Sequence, residues 1–353
     1  MTFSVGIVGA GIVGRLLAFK AAARGWRVTL FERGLADGSS ACSTVSPAML
    51  APYCELDVSE KSIADLGAQS LQLWPEILRE LDSQVFFQQA GTLIVAHPQD
   101  SGELEHFARG IKSRAASDVF HSIKNDELEE LEPDLDRRFQ SGLFFPSEGQ
   151  IDSRGVMAAL LNTAQARGVE CRFNTEVSAI CPHKIDCGSE THKFDVVFDC
   201  RGYGAAADIK NLRAVRGEII RVHAPDVNLK RPVRLLHPRW PLYIVPRSDN
   251  YYIIGATMIE SEDRSPIALR SLLEMLNAAF AISAGFSEAR VLETSVGLRP
   301  AFPDNEPRIL HEDGLVRING MYRHGFLLAP GMTENACGLM ENSNASSVFS
   351  EAA

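Results

Sequence analysis

Two rhythms of apolar residues alternate along this chain, short unbroken runs and helical repeats. Residues 5–8 are a short apolar run, the mark of a strand buried on both faces. Leu16, Leu17, Phe19, Ala22 and Ala23 follow at helical spacing, and Gly25 stops that helix. Residues 27–31 read as a second strand, ending at Glu32. A small, polar loop spans residues 34–46. Across residues 59–81 the positions Ile63, Leu66, Leu73, Ile77, Leu78 and Leu81 keep helical spacing, and Pro75 predicts a kink or break.

Further on, residues 86–96 read as strand, 100–114 and 125–131 as exposed helices, 143–146 as a short strand and 149–152 as a turn. Residues 153–167 form a helix stopped by Gly168, followed by strands at 169–173 and 176–180. Residues 195–200 are another buried parallel-type strand, running into a glycine junction at Gly202. A β-rich stretch opens at residues 216–222, and residues 242–246 and 251–256 form a hairpin. Residues 269–280 are an amphipathic helix, and 293–298, 315–318 and 325–329 read as strands. Beyond Met340 the tail is polar, which predicts a terminal helix of about two turns or a frayed end.

The interleaving of these elements predicts an α/β fold in two discontinuous parts. A Rossmann-like nucleotide domain is expected from residues 1–84, 149–215 and 293–353, and an antiparallel-sheet substrate domain from residues 85–148 and 216–292. At 353 residues the chain exceeds one ordinary core, which agrees with two domains.

Composition narrows the function. A hydrophobic share of 45% with 23% charged residues belongs to a soluble globular protein, and the net charge of −10 argues against a nucleic-acid partner. No apolar run is long enough to cross a bilayer. The first strand begins almost at once, leaving no room for a signal peptide, so a cytoplasmic protein is expected. The seven cysteines are scattered without a C-x-x-C pair. Cys181, His183 and Cys187 lack a fourth ligand nearby, so no metal site is expected.

The chemistry starts at Gly9, Gly11 and Gly14, a G-x-G-x-x-G between strand and helix. Gly9 permits the tight turn, Gly11 lets a pyrophosphate lie against bare backbone, and Gly14 lets helix and sheet approach. The helix N-terminus offers N–H groups and positive partial charge to phosphates. Glu32 can accept from ribose hydroxyls and disfavours a 2′-phosphate. On these residues alone the dinucleotide is either FAD or NAD.

A longer ordered set of blocks resembles a known family. It comprises the fingerprint with Glu32, then Met49-Leu50-Ala51-Pro52 with Glu55, and Gly91-Thr92-Leu93. Glu176-Val177, Asp195-Val196-Val197 with Gly202, Val215-Arg216-Gly217, Tyr243-Ile244-Val245-Pro246 and Gly255-Ala256-Thr257-Met258 follow. The last blocks are Gly297-Leu298-Arg299-Pro300 and residues 322–330. Together they resemble the FAD-dependent D-amino acid oxidase superfamily, and within it the glycine oxidase branch of thiazole biosynthesis.

That resemblance implies a glycine/D-amino acid oxidase fold and a non-covalent FAD. It implies cofactor contacts from Gly9, Gly11, Ile12, Val13, Gly14, Glu32 and Arg33, and from the loop around Cys42, Ser43, Thr44 and Met49. It adds Val177 on the adenine side, Gly202, and Arg323, Gly325, Phe326 and Leu327 at the pyrimidine end of the ring. Arg299 matches the position that binds a substrate carboxylate, and Tyr243, Met258 and Arg323 match positions lining the active site. A guanidinium suits a carboxylate because it presents a permanently charged bidentate fork.

The implied reaction is oxidation of glycine or another small amino acid to the imino acid, with oxygen as acceptor and hydrogen peroxide as product. The resemblance leaves a homo-oligomer open, and no sequence feature fixes a number of subunits. Two other readings stand beside it: a D-amino acid or sarcosine dehydrogenase using another electron acceptor, and a flavin-binding partner protein without turnover. For single residues, Arg299 has Asp304 and Glu306 as rival partners, and Arg323 an unnamed acid; His237, His311 and His324 read as structural.

Overall fold

A computed structural model of the chain describes residues 2–116, 118–237, 242–341 and 350–352. The strand Ser4–Val8 is buried at every position and sits inside a seven-stranded sheet. It pairs in parallel with Arg27–Phe31 on one side and Val196–Asp199 on the other. Glu170–Arg172 extends the sheet beyond Arg27–Phe31, and Leu315–Asn319 extends it beyond Val196–Asp199. The unbroken apolar runs of the central strands follow from burial on both faces, one against helices and the other against the meander around Ile185 and Phe194. Helices Ile12–Ala23, Ser153–Ala166 and Gly325–Glu341 contribute to the main core, with Leu16, Leu160 and Leu328 fully buried.

The second sheet has nine strands and is mostly antiparallel. Its longest members, Arg213–His223 and Arg290–Ala301, pair along most of their length, placing Val215 opposite Arg299 and Gly217 opposite Gly297. The hairpin Leu242–Pro246 with Tyr251–Gly255 lies beside Arg213–His223. Helix Leu269–Ile282 covers this sheet through Met275, Ala279 and Ile282. No helix among the described residues is long and apolar enough to cross a membrane.

Several expectations need correction. The loop at residues 34–46 contains a short helix, Cys42–Val45. Residues 86–96 are two strands in different sheets, Phe87–Gln88 and Thr92–Ala96, separated at Gly91. The expected turn at 149–152 is instead the strand Gly149–Ile151, held between Met49–Leu50 and Phe87–Gln88. The strand expected at 176–180 begins only at Ala179, in a three-stranded meander that also carries Cys181, His183 and Cys187.

The largest correction is at residues 325–329, which open the helix Gly325–Glu341 rather than forming a strand. A short apolar run does not separate a buried helix from a buried strand. The helix is also longer than two turns, because its first half is buried among the other helices. Most of the polar tail expected to fray lies outside the described residues.

Pro330 lies inside that helix and has no N–H for the carbonyl four residues back, that of Phe326. Trp74 supplies the missing donor: its Nε1–H donates to Phe326 O at 3.0 Å, and the indole is fully buried. Pro75, one residue on, opens helix Trp74–Arg79, so the break predicted from the proline sets the indole against the terminal helix.

Candidate active site

A cavity of about 310 Å³ runs from the glycine turn to the second sheet. Its first end is built by local sequence. Gly9 has φ +99°, a left-handed conformation few side chains adopt, and a Cβ there would lie 2.7 Å from Cys200 O. A Cβ on Gly14 would fall 1.8 Å from Gly9 O, so the turn closes only around glycine. A Cβ on Gly11 would meet nothing nearer than Ser43 Oγ at 3.4 Å, so its backbone is bare towards the cavity.

Glu32 braces the turn. One carboxylate oxygen accepts from the Ala10 N–H at 2.7 Å and the other from the Gly34 N–H at 2.8 Å. A carboxylate has about four acceptor sites, so it retains capacity for ribose hydroxyls. Arg15, 1% exposed, ties three walls together. Its guanidinium donates to Ala10 O at 2.7 Å, Met157 O at 2.8 Å and Ala36 O at 2.8 Å.

The other end is assembled from distant segments. Arg299 lies across Gly217, where a Cβ would come within 2.3 Å of its Cζ and Nη2. Its Nη1–H donates to Thr257 O at 2.9 Å. Among the described residues Arg299 forms no ion pair; Asp304 is taken by Arg308, and Glu306 accepts from the Ser62 hydroxyl. Tyr243 shares the wall. Burial pushes its phenol up, against the pull of Arg299 and Arg323, so the hydroxyl stays protonated at neutral pH.

Arg323 is neutralised where Arg299 is not: it forms a close ion pair with Glu55. Burial pushes the Glu55 carboxyl up, but Arg323, His324, Arg234 and Arg299 together hold it below its ordinary range. His324 Nδ1 stands 3.6 Å from Glu55, which favours the imidazolium. Burial and the guanidiniums of Arg323 and Arg299 prevail, and the ring titrates at about 4, neutral under ordinary conditions. Beneath them Glu148, fully buried, accepts from the Tyr53 and Cys54 N–H groups at 2.8 Å each and seats the segment bearing Glu55. Burial pushes its own carboxyl up to about 7.

Most of the expected site residues meet here. Gly9, Gly11, Ile12, Val13, Glu32, Arg33, Cys42, Ser43, Met49, Val177, Gly202, Tyr243, Arg299, Arg323, Gly325 and Phe326 line the cavity. Gly14, Thr44, Met258 and Leu327 are not among the lining residues. Gly14 serves helix packing, Thr44 turns its hydroxyl onto Gly38 O and Ala41 O, and Leu327 lies in the core. Met258 is 40% exposed and stands one layer out, its Sδ 3.0 Å from Arg323 Nη1.

Sequence reasoning gave no role to Gly217, Arg264 or Tyr203, and quoted Glu55 only as part of a motif. Glu55 and Arg323 are 268 residues apart, so no local pattern announces their pairing. Burial also pushes the Cys42 thiol up, which makes it a poor nucleophile despite its place on the wall.

A glycine turn at the ends of parallel strands, an acid after the second strand and an unpaired arginine across the cavity define a dinucleotide-dependent enzyme. Comparison with known proteins makes this specific. The family model described as FAD dependent oxidoreductase matches residues 4–337. A putative thiamine biosynthesis oxidoreductase ThiO of Rhizobium etli is 42% identical over 325 residues, covering 92% of each chain. Glycine oxidase of Geobacillus kaustophilus is 27% identical over 350 residues, covering 93% of this chain and 90% of that one. The crystal structure of glycine oxidase from Geobacillus kaustophilus superposes with a TM-score of 0.85, covering 99% of this chain and 97% of that one at 26% identity. The chain belongs to the FAD-dependent oxidoreductase family, on its amino acid oxidase branch, and its cofactor is FAD.

The residues present fit that cofactor. The bare Gly11 backbone, the N-terminus of Ile12–Ala23 and the oriented Glu32 carboxylate suit a pyrophosphate and a ribose. At the other end Gly325 and Phe326 bring the N-terminus of the Gly325–Glu341 helix to the cavity wall.

Proposed function

We propose that this chain oxidises glycine, or another small α-amino acid, to the imino acid. Glycine and oxygen would give the imino acid and hydrogen peroxide; water would then release glyoxylate and ammonia from the imine. The bound flavin supplies the chemistry by accepting a hydride equivalent from the substrate Cα. The protein's part is binding and orientation.

The observation that carries this reading is Arg299, a guanidinium on the cavity wall with no carboxylate of its own. One Nη is held by Thr257 O, which fixes the fork and leaves other donors for a substrate carboxylate. The Tyr243 hydroxyl, kept protonated, donates to the same carboxylate. Arg323, neutralised by Glu55, shapes the pocket and carries Met258 against it. No group here need remove a proton from Cα, and the neutral His324 is not asked to.

On the cofactor side, Gly9, Gly11, Ile12, Val13 and Ser43 would border the pyrophosphate, with Glu32, Arg33 and Val177 at the adenosine end. Met49, Cys42 and Gly202 would flank the flavin, and Gly325 and Phe326 its pyrimidine edge. Similarity to a relative named for thiamine biosynthesis supports a role in which the imino acid feeds thiazole assembly.

The test is anaerobic mixing of the flavin-loaded protein with glycine, sarcosine, D-alanine and D-proline, followed by air. Bleaching by glycine, with prompt return of colour and peroxide, is the expected result. Bleaching without prompt return would replace oxygen by another acceptor. No bleaching by any of the four would overturn the reading.

A further inference from the structure

The strand Arg213–His223 positions two arginines at the cavity, and only one has been given a role. Gly217 makes room for the Arg299 guanidinium. Its neighbour Arg216, 4% exposed, reaches the other way and holds the loop that follows strand Ile259–Glu260. Arg216 Nη1–H donates to Asp263 O at 2.7 Å and Nη2–H to Pro266 O at 2.9 Å. Between these two anchored residues stands Arg264, an exposed residue that lines the cavity.

Both acids next to Arg264 are engaged elsewhere. The Asp263 carboxylate accepts from the Ser265 N–H at 2.8 Å and the Ser265 hydroxyl at 2.6 Å, and lies 3.3 Å from Arg216. The Glu262 carboxylate accepts from the Tyr203 hydroxyl, which also feels the charge of Arg264. Among the described residues Arg264 has no hydrogen bond or ion pair. Besides Arg299, and Arg33 beside Glu32, the cavity therefore holds a further guanidinium without an ion pair among the described residues, on a loop fixed by a buried arginine.

A zwitterionic amino acid has one carboxylate, which Arg299 takes; a further cation would only oppose its ammonium group. A substrate with a second carboxylate removes that imbalance. We propose that Arg264 is a specificity residue that binds the distal carboxylate of an amino dicarboxylate, so the enzyme's preferred substrates include N-carboxymethyl or short acidic amino acids. This rests on the amino acid oxidation reading above. It extends that reading in charge, not in chemistry: the same Cα–N bond is oxidised and oxygen takes up the same two electrons.

The test uses two matched pairs that differ by one carboxylate, iminodiacetate against sarcosine and D-aspartate against D-alanine. Dissociation constants are read anaerobically from the perturbation or bleaching of flavin absorbance, in wild type and in Arg264→Gln and Arg264→Lys. In wild type the dicarboxylate should bind at least as tightly as its partner. In Arg264→Gln that advantage should fall about tenfold or more, and Arg264→Lys should recover part of it. Equal weakening of both members of a pair, or an unchanged ratio, would overturn the proposal. Loss of FAD in Arg264→Gln would overturn it too, because the anion served would then be the cofactor pyrophosphate. Failure of glycine alone to react, with dicarboxylates still bound through Arg264, would count against the small-substrate reading and not against this one.

Discussion

Replacing Gly217 by alanine isolates the placement of Arg299 from its chemistry. Gly217 lies within a strand and does not have a positive φ, so alanine suits its backbone. The added Cβ would stand 2.3 Å from Cζ and Nη2 of Arg299 and 2.5 Å from Nη1. Carbon contacts are comfortable only from about 3.5 Å, so the guanidinium must withdraw by about 1 Å. It is the free end of a long side chain, so it yields and the strand does not. The 2.9 Å hydrogen bond to Thr257 O is lost or bent. A displacement of about 1 Å in a substrate-positioning group costs roughly 10²-fold, or about 2.7 kcal/mol of transition-state stabilisation. The assay is anaerobic stopped-flow reduction by glycine, with FAD content and thermal melting as controls. We expect the reduction rate over Kd to fall about 10²-fold, with FAD retained and the melting temperature unchanged or raised. The double variant Gly217→Ala/Arg299→Ala should be no worse than Arg299→Ala alone, because both act on one contact. Efficiency within twofold of wild type, with FAD bound, would refute the clamp.

Three further outcomes follow from the same contacts. Glu32→Ala strips the Ala10 and Gly34 N–H groups of their acceptor as well as removing the ribose partner; FAD affinity should fall about 10- to 100-fold in a fluorescence titration of the apoprotein, and an unchanged Kd would sink the assignment. His324 titrates at about 4 in the folded chain against an ordinary 6.5, so the unfolded chain takes up its proton first. The stability it contributes is complete above about pH 6.5 and is lost as pH falls towards about 4, on the order of 3 kcal/mol. His324→Gln should therefore flatten the pH dependence of urea unfolding across that window, and an unaltered slope would contradict a neutral buried ring. Trp74→Phe leaves the Phe326 carbonyl without a donor beside Pro330; calorimetry should show a loss of about 1–3 kcal/mol, and no loss would mean the carbonyl finds another partner.

Much of the nucleotide end was legible because it is local. A strand, three glycines, a helix and an acid lie within residues 4–32, and the spacing that predicts them is the spacing that builds the turn. The helix interrupted at Pro75 and the hairpin around residues 247–250 were legible for the same reason, since one residue type fixes each break. The Gly325–Glu341 helix was not, because the apolar run at residues 326–329 buries equally well as strand or helix, and only packing on Lys61–Leu71 and Trp74 selects between them. Arg299 was singled out by its motif, but its freedom from Asp304 and Glu306 was not readable, since both acids were in reach by sequence distance.

By itself, then, the sequence determined the dinucleotide turn, the interleaving of two sheets and the residue types available for a carboxylate clamp, all consequences of periodicity and of backbone conformations that only certain residues adopt. Tertiary structure alone decided which charges are spent. It pairs Arg323 with Glu55 across 268 residues, engages Asp263 with Ser265 and Arg216 and Glu262 with Tyr203, and leaves Arg299 and Arg264 lining the cavity without an ion pair among the described residues. The reason is that charge compensation depends on distance in space and on burial, and neither is encoded in the local order of residues.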